Sequence, residues 1–292
     1  METATSIEDV RASVGAARNS GKTIGLVPTM GALHAGHISL IEAAVKRCDF
    51  VVVSIFVNPT QFGPGEDLEQ YPRPVEADLE ICRNSGVDVV FMPSAEQMYP
   101  AGNQTWVTVE KLTDVLCGVS RPKHFRGVTT VCAKLFNIVG ADIAFFGQKD
   151  AQQAIIIKRM VSDLNMRLEI VVCPTVREKS GLAVSSRNQY LSPQEKKDAS
   201  LIYKSLAKSR QMLAMGEFQC ELIAGEMRRI LGESAAIEIE YISIVDAESL
   251  ERLEYINKKA LIAVAVRLGT TRLIDNIIVE AKPPRMNRGA NY

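Results

Sequence analysis

The chain has no excess charge of either sign: 34 Lys and Arg residues balance 34 Asp and Glu residues among 292. Binding to nucleic acid or an anionic membrane through bulk charge is therefore disfavoured. No apolar run approaches the roughly 18–20 residues that a bilayer crossing needs. The longest, Phe50–Val57 and Leu261–Val266, have the length of buried strands. The opening METATSIEDV lacks the basic-then-apolar order of a secretory leader. Cysteine is present but never clustered: Cys48, Cys82, Cys117, Cys132, Cys173 and Cys220 form no C-x-x-C pair and no Cys/His group. Neither a zinc site nor a disulfide framework is expected, and the reading is of reduced thiols in a cytoplasmic protein. Internal repeats and low-complexity tracts are also missing. So is any Ser/His/Asp or Cys/His arrangement for nucleophilic catalysis. Histidine is scarce, with three in the chain, and two of them stand three residues apart.

What is present is a globular composition, 47% hydrophobic and 23% charged, in a length that suits about two domains. The first half alternates helical and strand patterns. An amphipathic stretch runs from Ser6 to about Arg18, then come an apolar run Thr23–Val27, a helical pattern from about Ser39 to Arg47 and the run Phe50–Val57. Further helices are expected over Val75–Asn84, Gly127–Val139 and Ala151–Leu164. Further strands are expected over Val87–Met92, Asp142–Phe146 and Leu168–Cys173. Short apolar strands between helices predict a doubly wound parallel sheet covered on both faces, a Rossmann-like α/β domain over residues 1–175. Residues 175–191 are polar and have no clear period. Ser192-Pro193-Gln194-Glu195 then signals a helix start, with a capping Ser, Pro in the first turn and a capping-box Glu. Helices over about 193–214 and 218–231 and three alternating segments predict a smaller α+β domain with an antiparallel sheet over residues 176–282. Residues 283–292 read as a disordered tail.

The most informative segment is Pro28-Thr29-Met30-Gly31-Ala32-Leu33-His34-Ala35-Gly36-His37, where the first long strand gives way to a helix. In an open parallel sheet ligands bind at that junction, and free backbone N–H groups with the helix dipole attract anions there. The spacing of Gly31 and Gly36 fits a P-loop, but His37 stands where its lysine should be and Ile38 where its hydroxyl should be. His34 and His37 share one face and can donate hydrogen bonds to phosphate, more strongly when protonated. Such donors stabilise charge that develops on a departing pyrophosphate.

The His-x-Gly-His turn resembles that of the nucleotidylyl-transferase superfamily. The longer string VPTMGALHAGHISLI more narrowly resembles the pantoate–β-alanine ligase family. So do FVNPTQF at 56–62, YPR at 71–73, RPKHFRGVTTVCAKLFNIV at 121–139, FFGQKDAQQ at 145–153 and VREKSGLAVSSRNQYLS at 176–192. The blocks stand in the family's order and spacing across most of residues 23–192.

The resemblance implies a Rossmann-like catalytic domain with a C-terminal lid domain. It implies ATP-dependent condensation of pantoate with β-alanine through a pantoyl adenylate, releasing AMP and pyrophosphate, with Mg²⁺ accompanying ATP and a homodimeric assembly. It implies catalytic roles for His37, His34, Lys149 and Arg187. ATP contacts are implied for Met30, Gly31, Ala32, Leu33, His34, Ala35, Gly36 and His37, for Gly147, Gln148, Lys149 and Asp150, and for Val176, Val184, Ser185, Ser186 and Arg187. Gln61 and Gln153 are the implied pantoate contacts, and Gln61 also the β-alanine contact.

From the residues alone, a Lys and an Asp at a strand's carboxyl edge suit phosphate and ribose, and two hydroxyls beside a guanidinium suit phosphate. Asp78 is a weak candidate for the metal, although Glu76 and Asp78 read more simply as a solvated helix face. Three positions depart from the family pattern. Lys123 stands where Gly is usual, Ser180 where Asp is usual, and Val184 where Met is usual. The turn alone leaves open a nucleotidylyltransferase that keeps the nucleotide in its product, a tRNA-aminoacylating relative, or a binding protein on the same fold.

Overall fold

The computed structural model describes residues 1–280, so the expected tail at 283–292 lies outside the described residues. The chain divides into two compact units, one ending at Tyr190 and one beginning at Leu191. Among the described residues no helix is long and apolar enough to cross a membrane.

The first unit runs β1 (Glu2–Ala4), α1 (Ile7–Asn19), β2 (Ile24–Thr29), α2 (Ala35–Arg47), β3 (Phe50–Ile55), α3 (Val75–Asn84), β4 (Val89–Phe91), α4 (Ala95–Met98), α5 (Cys117–Ser120), α6 (His124–Val139), β5 (Ile143–Gly147), α7 (Ala151–Asp163) and β6 (Glu169–Cys173). Its six strands lie in the order β1-β4-β3-β2-β5-β6, and all pair in parallel. The order reverses between β2 and β5, so that the loops after these two strands open on one crevice at the carboxyl edge. Both faces are covered. Val51 and Val53 of β3 and Phe145 of β5 pack with Ile41 and Ala44 of α2 and Cys82 of α3. The opposite face meets α1, whose Val10, Val14 and Ala17 are buried, and α6. Each fully buried side chain of this kind, such as Ile41, stabilises the fold by about 1.5–3 kcal/mol.

The sequence reading matches the order of the main elements, and the differences have local causes. The edge strand β1 lies outside the expected elements; it borrows its order from β4, to which it pairs from Glu2↔Val89 to Ala4↔Phe91. Helix α2 starts at Ala35, four residues before the expected Ser39, because a histidine caps it. Helix α6 starts at His124 instead of Gly127, after Lys123 in a left-handed conformation (φ 72°). That is the conformation in which the usual Gly would be at ease.

Residues 176–190 belong to the first unit, which moves the boundary 15 residues past the expected 175/176. Residues 176–184 form a small hairpin and Ser186–Tyr190 a 3-10 turn. Arg177 bridges Ala183 and the Val184 N–H donates to the Val176 carbonyl at 3.0 Å. Asn188 is buried and donates to Glu178 Oε1 and the Ala183 carbonyl.

The second unit holds α8 (Pro193–Ala214), α9 (Cys220–Leu231) and an antiparallel sheet β7 (Ile237–Asp246), β8 (Ala260–Leu268) and β9 (Thr271–Val279). The expected capping box is formed: Ser192 Oγ accepts from the Glu195 N–H at 3.3 Å and Glu195 Oε2 from the Ser192 N–H at 2.8 Å.

Candidate active site

The crevice at the carboxyl edge of β2 and β5 is a pocket walled by the Met30–His37 turn, the start of α7 and residues 174–187. The turn that feeds it spends its own backbone donors internally. Gly31 N–H donates to Thr29 Oγ1 at 3.2 Å. The N–H groups of Ala32 and Leu33 both donate to the Asp78 carboxylate, at 2.8 and 2.7 Å. His34 N–H donates to His37 Nδ1 at 3.3 Å, and Gly36 N–H to His34 Nδ1 at 3.1 Å. Fewer backbone donors are open to an anion here than the sequence suggests: five N–H groups of this turn already have side-chain acceptors. The ring N–H groups of His34 and His37 are among the donors left at the turn to meet an anion.

Because each Nδ1 accepts, each neutral ring carries its proton on Nε2. The two rings stack with centroids 4.1 Å apart. Both are neutral at pH 7. Burial and then the nearby Lys149 charge lower His34 to about 4. Burial, then His34 and Lys149, lower His37 to about 3. Protonated imidazoles are thus not the resting donors; neutral Nε2–H groups are.

Asp78 is neither a solvated-face residue nor available to a metal. It is 1% exposed, and both of its oxygens are taken by the turn. Burial pushes its carboxyl up, against the two backbone hydrogen bonds that pull it down. Gly31 (φ 82°) is held so closely that a Cβ would lie 3.0 Å from Asp78 Oδ2. Glu76 is exposed, as expected of a solvated face.

Gln61 is held through both its side chain and its carbonyl. Its Oε1 accepts from Asn58 Nδ2 at 3.1 Å and its Nε2 donates to Met30 Sδ at 3.1 Å. Its carbonyl accepts from His124 Nδ1 at 2.8 Å and Arg121 Nη2 at 3.2 Å. Gly127 makes this possible, since a Cβ there would lie 2.5 Å from the Thr60 carbonyl oxygen. Burial, then the Arg121 charge, lower His124 to about 4. Asn58, Arg121 and His124 are residues around the site that the sequence alone does not assign, and Asp78 serves the turn in place of the metal for which the sequence makes it a weak candidate. Asn58 has one available signal, a polar residue directly after the apolar run Phe50–Val57; Asp78, flanked by exposed acidic residues, has none.

The pocket brings together Met30, His34, Gly36, His37, Gln61 and Gln153 with Gly147, Lys149, Asp150, Val176, Val184 and Ser185 to Arg187. Gly31, Ala32, Leu33, Ala35 and Gln148 do not line it; Leu33 is buried in the core under the turn. Lys149 stands 3.8 Å from Asp150. Arg187 Nη2 donates to Asp67 Oδ1 at 2.9 Å. The wall thus combines cations and polar donors with the neutral amides of Asn58, Gln61 and Gln153, and suits a polyanion beside a small polar molecule.

Comparison with known proteins decides among the families that share this turn. The sequence model described as "Pantoate-beta-alanine ligase" matches residues 2–278. The chain belongs to that family. It is 52% identical over 281 residues to the pantothenate synthetase of Acetivibrio thermocellus, covering 96% of this chain and 100% of that one. It is 54% identical over 279 residues to that of Geobacter sulfurreducens, covering 96% and 99%. The crystal structure of the Thermus thermophilus pantothenate synthetase superposes with a TM-score of 0.91 at 43% identity, over 97% of this chain and 100% of that one. The pantoate–β-alanine ligase of Francisella tularensis, solved in complex with "Beta-gamma ATP and Beta-alanine", superposes with a TM-score of 0.76 at 36% identity, over 95% and 97%. The family's fold, a parallel sheet with a smaller antiparallel one, is the fold seen here. Family membership excludes the tRNA and binding-protein alternatives that the turn alone leaves open.

Proposed function

We propose that this ligase joins pantoate to β-alanine in two half-reactions in the one pocket. In the first, the pantoate carboxylate attacks the α-phosphorus of ATP, and pyrophosphate leaves. In the second, the β-alanine amine attacks the acyl carbon of the pantoyl adenylate, and AMP leaves. A carboxylate is a poor acylating agent at neutral pH, and adenylation gives it a good leaving group. The protein's part is to orient the reactants and stabilise charge.

The observation that carries this reading is the pair of stacked imidazoles, each with Nδ1 committed to the backbone and Nε2–H left to donate. Fixed donors with no reorganisation cost suit the negative charge that grows on the departing pyrophosphate. Lys149 and Arg187 add positive charge around the same triphosphate. Gln61 and Gln153 hold pantoate by neutral amides, which bind the hydroxy-acid without quenching its carboxylate as a full cation would. Among the described residues no group of three His, Cys, Asp or Glu stands together as a metal cage, and Asp150 is the pocket wall's one carboxylate. That donor set fits an ion carried in on ATP and held chiefly by phosphate and water. Mg²⁺ bound with ATP would supply charge neutralisation there, with Asp150 the one wall carboxylate able to meet it.

The deciding experiment is isotope exchange between pyrophosphate and ATP. Exchange that needs pantoate and proceeds without β-alanine is expected. Exchange without pantoate, or none under any condition, overturns the adenylate reading.

A further inference from the structure

Arg121 is a pocket cation that the reaction as described does not use. It stands between α5 and α6, and its guanidinium is fully engaged. Nε donates to Glu66 Oε1 at 2.8 Å, and Nη2 donates to Glu66 Oε2. Nη1 donates to His124 Nε2 at 3.2 Å, and Nη2 also reaches the Gln61 carbonyl. The pair is mostly withdrawn from water, with side-chain exposures of 18% for Arg121 and 25% for Glu66. A side-on, two-point grip of this kind is the geometry in which arginine binds a carboxylate most strongly.

Glu66 is an unusual owner of that grip. It lies in the stretch between Phe62 and Pro74, outside any helix or strand. The Arg121 contact is also not needed to fix Gln61, whose carbonyl His124 holds at 2.8 Å and whose side chain Asn58 and Met30 hold. The chemistry of the side chain is telling. Beyond its Cα, glutamate is a two-carbon carboxylate, –CH₂–CH₂–COO⁻. β-Alanine is that same skeleton with an ammonium group in place of the Cα.

The other cations of the wall have different company. Lys149 neighbours the stacked imidazoles, and Arg187 follows two serines. The pantoate carboxylate is a nucleophile and is best left to neutral amides. The β-alanine carboxylate takes no part in bond making, so a full ion pair costs it no reactivity. It is also the group that distinguishes β-alanine from a simple alkylamine.

Resting on the two-step reading above, we propose that Arg121 is the anchor for the β-alanine carboxylate, and that Glu66 occupies the position this carboxylate takes. Binding of β-alanine exchanges one carboxylate for another on the Nε/Nη2 fork, with the amine directed away from Arg121 toward the acyl adenylate. The exchange keeps the guanidinium paired throughout, so that no charge is left buried alone.

The test uses the full-length enzyme, its Arg121→Met and Glu66→Gln variants, and two amines, β-alanine and propylamine. Arg121→Met is expected to raise KM for β-alanine roughly 10–100-fold, the scale of losing a hydrogen-bonded charge pair. Its kcat/KM with propylamine, which has no carboxylate to lose, is expected to fall several-fold less than that with β-alanine, so the preference for β-alanine narrows. Glu66→Gln is expected to lower KM for β-alanine by roughly 2–5-fold, because the internal competitor is weakened. Pantoate-dependent pyrophosphate exchange, in which β-alanine takes no part, separates the failures. Arg121→Met that keeps its preference for β-alanine overturns the anchor. Arg121→Met that loses exchange and raises KM for pantoate also overturns it and makes Arg121 a support for Gln61. If Arg121→Met does not fold, Glu66→Gln still decides: an unchanged or raised KM for β-alanine overturns the proposal. Absence of exchange in the unaltered enzyme would fault the two-step reading and not the anchor.

Discussion

One oxygen of the Asp78 carboxylate accepts the Leu33 N–H at 2.7 Å, and the other accepts the Ala32 N–H at 2.8 Å. A buried residue of α3 thereby sets the backbone that delivers both imidazoles to the pocket. The turn it holds includes Ala32 at φ 50°, a left-handed conformation that needs external support in a residue with a β-carbon. Asp78 does not itself line the pocket; its action passes through the turn it holds.

Asp78→Asn should therefore separate position from chemistry. The amide keeps one acceptor but sets an NH₂ group against the second backbone N–H, leaving a buried donor unpaired at about 1–3 kcal/mol. The expected result is a fall of roughly 10–100-fold in pyrophosphate exchange, the scale on which groups supporting a site act. KM for β-alanine should change little. Exchange kinetics with a far-ultraviolet spectrum check it. A folded variant with undiminished exchange would show that the turn holds its shape without the clamp.

His37 does two jobs that one substitution can part. Its Nδ1 caps the N-terminus of α2 by accepting the His34 N–H, and its Nε2–H is the proposed phosphate donor. Gln at the third helical position is a usual capping-box partner. His37→Gln should therefore keep thermal stability close to the parent's. It should still slow adenylate formation by roughly a hundredfold or more, the scale of losing one transition-state donor. His37→Ala should lose both. Near-normal turnover in His37→Gln would remove the ring from the chemistry.

Much of this arrangement is legible in the sequence, for definite reasons. Strands β2, β3 and β5 are continuous apolar runs, so their burial on two faces shows directly. The Ser192/Glu195 box uses the residues that capping rules anticipate. The start of α2 does not show, because histidine is no usual cap and only the reciprocal His34/His37 contact makes it one. Asp78 misleads because its neighbours Glu76 and Glu80 are not buried with it, so its own burial has no local signal. Arg121 escapes notice because its partner Glu66 stands 55 positions earlier, in a stretch with no regular structure. The 176–190 segment looks like a linker because long-range polar bonds, such as Arg187 to Asp67, tie it down where apolar periodicity would have been visible.

Acid should loosen the fold at a pH set by the histidines. All three are held below the unfolded value of about 6.5: His34 and His124 to about 4, and His37 to about 3. Between those limits the unfolded chain binds more protons than the folded one, so their contribution to stability is complete above about pH 6.5 and is lost as pH falls toward about 4. Urea midpoints should drop steadily from about pH 7 to about pH 5. The drop should be shallower in His124→Asn, which has one such group fewer. Equal slopes in the two proteins would mean that His124 is not held neutral by burial beside Arg121.

Lys123 offers a prediction about stability alone. It precedes α6 in the left-handed region at φ 72° and makes no side-chain cap bond. A β-carbon in that conformation costs roughly 1–2 kcal/mol. Glycine would remove the cost but add back roughly 0.5–1 kcal/mol of unfolded-state entropy. Lys123→Gly is therefore expected to stabilise by roughly 0.5–1 kcal/mol and to raise Tm by roughly 1–4 °C, with turnover unchanged because Lys123 does not line the pocket. Calorimetry of the two proteins at one pH measures it. A lower Tm in the glycine variant would mean that the lysine stem packs usefully against its surroundings, outweighing the strain of its backbone.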